Sequence, residues 1–420
     1  MPARLLLYNI LILGLAVFAL PWVVYQLAFV KKRRDGLSQR FGSLPAVGKK
    51  TVWCHAVSVG EVRAMSPLLS LLEGDSRVKG RIVLSTVTLT GQETARRECR
   101  NVSRIIYFPL DLPFAVGRAI RRINPGIFIT AETEIWPNFF HSCFRRNIPV
   151  VVVNGRISDS SFTRYLRFRW FFSPLLEKVS AFLMQSEEDA RRILQLGARA
   201  DAVKITGNMK YDRVPDRVSL PGAVTRWADG RFLVVAGSTH RSEEDTILDA
   251  IERLDRKADV LTALVPRHPE RFDEVAGFLE KRGLEFTRYS DVPDGGAVIG
   301  RVLLVDAMGV LDGFYALADA AFVGGSLVPV GGHNLLEPAM HGVPVLTGPH
   351  THNFRDIAES LIEAGGCVVV NSAEQISSVV GSYISDPGLK DGAGRSALEA
   401  SRKVSGASKR NFEEILGILI

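Results

Sequence analysis

Short apolar runs rich in β-branched residues recur along the chain after residue 50, separated by amphipathic segments of helical length. Continuous apolar strands that alternate with helices are typical of a parallel sheet covered on both faces. The alternation therefore predicts an α/β fold. In the first half of the chain the runs occupy residues 51–59, 81–86, 104–109, 126–132, 149–155, 181–186 and 203–208.

A second series of runs follows a turn-rich break that contains Pro215, Pro221 and Gly222. Its runs occupy residues 231–239, 259–267, 301–307, 320–326, 343–348 and 367–371, and the stretch from there to residue 420 has a helical pattern. A chain of 420 residues is long enough for two domains of roughly 150–200 residues each. We therefore predict two doubly wound domains, 35–212 and 231–420, which are joined by a linker at 213–230. They face a central cleft, with ligands at the carboxyl ends of the strands.

The N-terminal segment from Leu5 to Val30 contains no charged residue, and four basic residues (31–34) follow it directly. Crossing the hydrocarbon core takes roughly 20 apolar residues. The charge follows the apolar run instead of preceding it, which is the reverse of a cleaved signal peptide and keeps the next domain cytoplasmic. We predict that residues 1–34 are a membrane anchor that spans the bilayer or lies in its interface. The alternative is a hydrophobic helix buried in the protein.

The charge is distributed unevenly along the chain. Residues 1–212 carry 31 Lys and Arg against 16 Asp and Glu, a net +15, although the whole chain carries only +7. The basic half predicts an anionic partner: a phosphorylated acceptor, a membrane surface or nucleic acid. A scattered basic surface is the alternative. Segment 161–172 mixes arginines with aromatic residues, as membrane-interface helices and single-stranded nucleic-acid sites do, although core packing could explain about half of these aromatics.

A glycine-rich stretch at 321–350 gives the strongest local signal for a ligand. A strand is expected to end at Val323, and paired glycines then allow the backbone to approach a ligand closely. A helix that begins near Asn334 would offer free N–H groups to a phosphate. Glu337 could accept hydrogen bonds from ribose hydroxyls or simply cap the first turn. Neither a Walker A motif nor a GxGxxG motif occurs, so a P-loop ATPase and a dinucleotide enzyme are not indicated.

Three glutamates follow predicted strands of the first domain. Glu61 opens a helix after its strand, where it could be a general base or a dipole-stabilising acid. Glu132 and Glu134, two residues apart on an extended backbone, would share a face and interact with a developing charge, or else cap a helix. Lys210 lies just past a strand near the domain junction. No DxD-type pair or other metal-ligand set stands at a strand end, so no metal site is expected.

Two segments of the second domain also suit an anion. Arg267 stands at a strand end between two prolines, where a guanidinium suits an anionic nucleotide and a surface ion pair is the alternative. Segment 237–244 places capping residues before an acidic helix start, so it could bind phosphate or only cap the helix.

Taken in order and spacing, the motifs resemble the 3-deoxy-D-manno-octulosonic acid (Kdo) transferases of lipopolysaccharide synthesis. The matching motifs are RFG (40–42), HAVSVGE (55–61), PLDLP (109–113), AETEIWPN (131–138), NGRIS (154–158), QSEED (185–189), GNMKYD (207–212), VPRHPERF (265–272), GGHNLLE (331–337) and GPHTHNF (348–354). The resemblance implies a GT-B fold with two Rossmann-like domains and an inverting, metal-independent glycosyltransferase that needs no cofactor. It also implies the bacterial inner membrane as the location, with the catalytic domains on the cytoplasmic side.

The resemblance also implies roles for individual residues. Glu61 would be the catalytic base, and Glu132 and Lys210 would support the transition state. The residues that would hold the CMP portion of the donor are Pro266, Arg267, Met308, Gly309, Val310, Asn334, Leu335, Leu336 and Glu337. The family usually has Glu where this chain has Val310, which leaves only a backbone contact at that position.

The implied reaction moves Kdo from CMP-Kdo to an acylated, phosphorylated (tetraacyl) lipid A precursor at the inner membrane surface, without nucleic acid. Two alternatives stay open. One is another GT-B glycosyltransferase of envelope synthesis that uses a UDP-sugar. The other is a membrane-tethered protein that binds a nucleotide sugar without catalysis.

Overall fold

The computed structural model of the chain describes residues 3–29, 35–212, 218–254, 259–292 and 297–419. The chain divides into two compact units: the first unit is Met1–Arg213 with Ser405–Ile420, and the second unit is Val214–Val404. The strands are β1 (Thr51–His55), β2 (Ile82–Thr86), β3 (Arg104–Tyr107), β4 (Pro125–Ala131), β5 (Val150–Gly155), β6 (Ala181–Met184), β7 (Val203–Ile205), β8 (Phe232–Thr239), β9 (Val260–Pro266), β10 (Phe286–Arg288), β11 (Val302–Leu304), β12 (Ala320–Val323), β13 (Val345–Thr347) and β14 (Cys367–Val369).

Helices cover both sheets. They are α1 (Ala3–Phe29), α2 (Leu37–Arg40), α3 (Val59–Gly74), α4 (Leu89–Glu98), α5 (Pro113–Ile123), α6 (Pro137–Phe144), α7 (Asp159–Arg167), α8 (Arg169–Leu176), α9 (Glu187–Leu196), α10 (Gly222–Ala228), α11 (Glu243–Glu252), α12 (Phe272–Lys281), α13 (Leu311–Tyr315), α14 (Leu336–Met340), α15 (Arg355–Glu363), α16 (Ala373–Ser385), α17 (Pro387–Val404) and α18 (Ala407–Ile418).

Each unit is built on a parallel sheet, which confirms the predicted α/β class. Within the described residues each sheet has seven strands, in the orders β3-β2-β1-β4-β5-β6-β7 and β10-β11-β9-β8-β12-β13-β14. Trp53 and Phe128 join the aromatic cluster on one face of the first sheet, while Cys54 and Ile129 pack into the cluster on the other face. Alternate residues of one strand are thus buried on opposite faces, so the strands read as continuous apolar runs.

The strand order of each sheet reverses beside its first strand. In the first sheet β1 lies between β2 and β4, and in the second β8 lies between β9 and β12. Such a reversal opens a crevice at the carboxyl ends of the strands, where ligands of doubly wound sheets bind. The turns that follow β1, β4, β8, β9 and β12 therefore carry the candidate sites of the two units.

The C-terminal helix α18 belongs to the first unit, which corrects the assignment of all of 231–420 to the second domain. Ala407 and Ile415 of α18 are buried in the cluster that covers one face of the first sheet. The Asp212 carboxylate accepts a hydrogen bond from the Gly406 N–H at 2.5 Å, and Lys204 Nζ lies 2.6 Å from Glu414 Oε2. The helical pattern predicted the helix but not the sheet on which it packs.

Part of the predicted linker at 213–230 is an ordered helix of the second unit. Val224 and Trp227 of α10 are buried in the core of that unit. Residues 213–217 of the predicted linker lie outside the described residues.

Helix α1 is attached to the first unit through its N-terminal turns. Leu5 and Asn9 are buried, the Tyr8 hydroxyl donates a hydrogen bond to Asp111 at 2.9 Å, and Asn9 bonds with Asn138. Among the described residues, no helix has both the length and the apolar character that crossing a membrane requires. Residues 1–2 and 30–34 of the predicted anchor and basic flank lie outside the described residues.

Candidate functional site

Glu61 lies in the first turn of α3, the helix that follows β1, and both of its carboxylate oxygens accept hydrogen bonds. Ser58, the N-cap of α3, donates its hydroxyl to Oε1 at 2.8 Å, and the Val57 N–H donates to Oε2 at 2.8 Å. Burial raises the pKa of the Glu61 carboxyl, the Glu132 charge adds to the rise, and the hydrogen bonds from Val57 and Ser58 oppose it. Glu61 is therefore both the capping acid of α3 and a buried carboxylate with a raised proton affinity.

Glu132 follows β4 directly and pairs with Lys210. Its carboxylate Oε1 lies 3.0 Å from Lys210 Nζ. The Glu132 backbone has φ of 54°, in the left-handed region that few residues other than glycine adopt. Such strain persists only where the surroundings fix it, and it concentrates at functional sites.

Lys210 is brought to Glu132 by a network at the end of β5. The Asn154 side-chain oxygen accepts a hydrogen bond from the Met209 N–H at 2.8 Å, and the Asn208 side chain accepts one from the Lys210 N–H at 3.0 Å. These bonds fix the 3₁₀ turn that presents the lysine, whose side chain is 40% exposed. The ion pair is thus open to solvent on one side and built on ordered backbone.

Glu134 is the third acid of this cluster. Burial, together with the charges of Glu61 and Glu132, raises its pKa to about 7. The sequence predicted that Glu132 and Glu134 share a face of an extended strand, but that geometry is wrong, because β4 ends at Ala131 and Glu132 is left-handed. The turn nevertheless leaves both acids within electrostatic reach of Glu61.

In the second unit, the glycine-rich loop after β12 is occupied by a carboxylate of the protein itself. Glu243 of α11 is fully buried and accepts hydrogen bonds from the N–H groups of Gly325, Ser326 and Leu327 at 2.7, 3.0 and 2.9 Å. The His240 N–H donates a fourth, at 2.8 Å. The N–H groups of residues 325–327 are therefore already bonded within the protein.

Sequence reasoning missed this role of Glu243. The signal was present in segment 237–244, whose acidic helix start was interpreted as a cap or a phosphate site. A Cβ at Gly324 would lie 2.8 Å from the Glu243 carboxylate and 2.5 Å from the Ser238 carbonyl oxygen, so glycine is needed for this approach. The first paired glycines therefore accommodate an internal anion.

The predicted CMP contacts lie at the carboxyl edge of the second sheet. Pro266 ends β9, and Arg267 is exposed while its N–H donates to the Thr239 carbonyl at 3.0 Å. Met308 is 58% exposed, and Gly309 has φ of 84° in the turn before α13. Val310 packs against the core of the unit, and its carbonyl oxygen accepts a hydrogen bond from the Gly313 N–H at 3.1 Å.

The segment from Asn334 to Glu337 forms a short capped turn. Asn334 accepts a hydrogen bond from the Leu336 N–H at 3.2 Å and donates one to the Glu337 carboxylate at 3.3 Å. Helix α14 then runs for five residues. Leu335 and Leu336 are each 1% exposed, so only their backbone could contact a nucleotide. Within the described residues, no group of three or more His, Cys, Asp or Glu is placed to hold a metal ion.

Comparison with known proteins gives a consistent result over the whole chain. The family model described as 3-deoxy-D-manno-octulosonic-acid transferase (kdotransferase) matches residues 35–213. A 3-deoxy-D-manno-octulosonic acid transferase of Haemophilus influenzae is 36% identical over 387 residues, which is 90% of this chain and 90% of the relative. One of Bordetella pertussis is 33% identical over 391 residues, 88% of each chain.

A solved structure shows the same fold at low identity. The UDP-GlcNAc 2-epimerase of Neisseria meningitidis bound to UDP-GlcNAc is 13% identical, with a TM-score of 0.56. It covers 88% of this chain and 100% of its own. The likeness concerns the fold, which GT-B glycosyltransferases share with such epimerases.

Proposed function

This chain belongs to the 3-deoxy-D-manno-octulosonic acid (Kdo) transferase family, and we propose that it moves Kdo from CMP-Kdo to a tetraacyl lipid A precursor with inversion at the anomeric carbon. The observation that carries the proposal is the acid cluster of the first unit. There, buried Glu61 lies within electrostatic reach of Glu132, which pairs with Lys210. An inverting transfer needs one positioned base and groups that stabilise developing charge, and this cluster offers both.

Glu61 is the general base in this proposal. It takes the proton of an acceptor hydroxyl while the hydroxyl oxygen bonds to the anomeric carbon of Kdo, and the bond from that carbon to the CMP phosphate oxygen breaks. A raised pKa makes Glu61 a better base than an exposed carboxylate, because the best catalytic pKa lies near the working pH. Its bonds to Ser58 and Val57 keep the carboxylate oriented.

Glu132 and Lys210 stabilise the transition state in this mechanism. Positive charge develops on the sugar as CMP leaves, so a nearby carboxylate favours that state. The lysine, whose Nζ lies 3.0 Å from the Glu132 carboxylate, holds that carboxylate in place. The strained backbone of Glu132 fits a carboxylate whose position is more important than its local stability.

The second unit binds the CMP portion of the donor. Arg267 offers an exposed guanidinium to the phosphate, and the turn at Met308–Val310 offers backbone groups. Asn334 and Glu337 offer polar side chains to the ribose or base. We further propose that catalysis needs no metal ion, as the family resemblance implies.

The acceptor is proposed to approach from the inner membrane surface, with the catalytic units on the cytoplasmic side. Supporting this, Phe168 and Trp170 are 47% and 57% exposed beside the arginines of α7 and α8. The other aromatics of that segment pack against the core or are buried, in line with the expectation that core packing explains about half of them. Exposed aromatic and basic side chains suit acyl chains and lipid phosphates.

Mass spectrometry of the lipid product tests the donor, the acceptor and the number of additions together. The purified chain is incubated with CMP-Kdo and the tetraacyl precursor, with and without EDTA, and in parallel with UDP-sugars. We expect Kdo-bearing lipid and CMP release that depends on the acceptor and persists in EDTA.

Transfer from a UDP-sugar would replace the proposed donor, and loss of activity in EDTA would contradict the metal-independent mechanism. A chain that binds CMP-Kdo yet never produces Kdo-bearing lipid would favour the non-catalytic alternative. A reaction without acceptor serves as the control for hydrolysis of the donor.

A further inference from the structure

Two histidines from different loops of the second unit form a hydrogen-bonded pair. His240 follows β8, and His333 precedes the capped turn at Asn334. Their Nε2 atoms lie 2.9 Å apart, and the rings are nearly coplanar, with an interplanar angle of 11°. Gly325 allows the approach, because a Cβ there would lie 3.0 Å from the His333 ring. None of the roles implied by the family resemblance involves either histidine.

The pair can gain one proton without breaking its bond. Between two facing Nε2 atoms, one nitrogen carries the hydrogen and the other accepts it. The donor ring then has a free Nδ1, which can take a further proton and make the pair cationic. A second added proton would place two N–H groups against each other and break the bond. The pair therefore switches between a neutral and a singly positive state.

The carboxylates near the histidine pair already have partners of their own. The carboxylate of Glu243 is bound to loop N–H groups, and Glu244 pairs with Arg271 at 2.8 Å. His268 lies edge-on to His240, with ring centroids 5.3 Å apart. Arg267 is exposed, and among the described residues its guanidinium makes no ion pair within 4.0 Å.

Without a ligand the pair is neutral near pH 7. Burial first, and then the charges of Arg267, His240 and His268, lower the pKa of His333 to about 4. Burial also lowers the pKa of His240, although Glu243 and Glu244 oppose this effect. An anion placed against the pair and Arg267 would reverse the balance, since an opposite charge within about 4–6 Å favours the protonated imidazole.

We propose that His240 and His333, together with Arg267, bind an anionic oxygen group of the donor, and that the pair takes up one proton from solvent when the anion binds. The inference rests on the proposed function for the identity of the donor. The phosphate and the sugar carboxylate of CMP-Kdo share this chemistry, and either could be the group bound. A charge-assisted hydrogen bond from the protonated pair would strengthen binding beyond what Arg267 alone gives.

Isothermal titration calorimetry of the full chain at pH 7.5 tests the proposal. CMP is titrated in two buffers with different ionisation enthalpies, which gives the number of protons taken up for each CMP bound. We expect net uptake that approaches one proton in the wild-type chain. In His333→Gln and His240→Gln the uptake should fall by more than half, and the Kd for CMP should rise about tenfold.

His341→Gln is the matched control, because His341 bonds to Asp312 elsewhere in the same unit, at 2.8 Å. This variant should keep wild-type uptake and affinity. Cytidine, which lacks phosphate, should bind without uptake. Uptake with free Kdo but not with CMP would assign the pair to the carboxylate of the donor. Thermal unfolding of each variant checks that it folds.

Wild-type uptake in both histidine variants would overturn the proposal, as would CMP binding with no uptake in the wild-type chain when free Kdo also causes none. If CMP does not bind at all, the proposed donor fails, and inorganic phosphate becomes the probe. Uptake on phosphate binding that the variants lose would then support the anion site independently of the donor. Phosphate binding without uptake, or no phosphate binding, would overturn it.

Discussion

The two units place a glutamate in the same position with opposite surroundings. Glu61 and Glu243 both lie in the first turn of the helix that follows the first strand of their sheet. Glu243 accepts hydrogen bonds from four backbone N–H groups and is fully buried. Glu61 has one backbone N–H and one hydroxyl, and it faces the charges of other acids.

The difference separates a structural carboxylate, that of Glu243, from the carboxylate that we propose as the base. Four N–H donors satisfy the charge of Glu243, so that carboxylate fixes the glycine-rich loop after β12. Glu61 has fewer donors, and burial, together with the Glu132 charge, raises its pKa, as the proposed role of base requires. Position in the fold alone therefore does not distinguish the two glutamates, whereas the number of donors around each one does.

The largest effect is expected from Glu61→Gln. The amide keeps the shape and part of the hydrogen bonding but cannot accept the acceptor's proton. We expect the turnover rate for Kdo transfer to fall by about 10³-fold or more, equal to ~4 kcal/mol in the activation barrier. The Kd for CMP should stay nearly unchanged, because in our proposal the second unit binds CMP. Steady-state kinetics and calorimetry measure the two quantities.

The stability of Glu61→Gln completes this test. Removing a buried carboxylate with a raised pKa should leave the free energy of unfolding at pH 7.5 unchanged or slightly higher. Full turnover in this variant would show that Glu61 is not the base. A variant that loses both activity and folding would show that Glu61, like Glu243, has a structural role.

In contrast to Glu61→Gln, Glu243→Gln should lower the stability of the fold. The amide NH₂ would face buried N–H donors, and charge-assisted bonds to the loop would be lost. We expect the free energy of unfolding to fall by about 3 kcal/mol. Urea denaturation gives the loss, and hydrogen exchange at residues 324–327 should show its local origin.

Glu274→Gln is the control on the same unit. Glu274 pairs with Arg241 on the surface, where the side chains are 40% and 80% exposed, so its loss should change stability far less than the loss of Glu243 does. If Glu243→Gln were as mild as this control, the loop would be held by its glycines alone. The structural role of Glu243, on which the contrast between the two units depends, would then be wrong.

The sequence predicted the sheets well because their strands are buried on both faces. Each predicted run overlaps a strand of the structure, whereas β10 was missed. β10 has three partly buried residues at an edge of its sheet, so it has no continuous apolar run to detect. The packing of α18 was also unpredictable, because an amphipathic pattern shows that a helix has a buried face but not which sheet covers it.

Candidate site residues that follow a strand could be predicted from the sequence. Roles that depend on tertiary contacts were harder to predict. Glu61, Glu132 and Lys210 were singled out from their places after strands, and the structure brings them together. The role of Glu243 depends on a loop more than 80 residues further along the chain, and no local pattern shows that contact. The histidine pair likewise joins residues 93 positions apart.

Glu134→Gln has the smallest predicted effect, and the pH dependence of its stability tests the acid cluster. The pKa of Glu134 in the folded protein is about 7, above the ordinary value of 4.5, so the carboxyl favours folding when protonated. That contribution is complete below about pH 4.5 and is lost as the pH rises through 7. Gln is neutral throughout, so the variant should be more stable than wild type by about 1–2 kcal/mol at pH 8, after allowance for solvent screening, and nearly equal at pH 4.5.

A double-mutant cycle with Glu61→Gln sharpens this last prediction. The Glu61 charge contributes to the raised pKa of Glu134, second only to burial. Once Glu61 is neutral, the pKa of Glu134 should fall, and the stability gained from Glu134→Gln at pH 8 should shrink. Urea denaturation of the four proteins at pH 4.5 and pH 8 measures this coupling. If the gain is the same with and without Glu61, the two carboxylates do not interact, and the raised pKa of Glu134 comes from burial and the Glu132 charge.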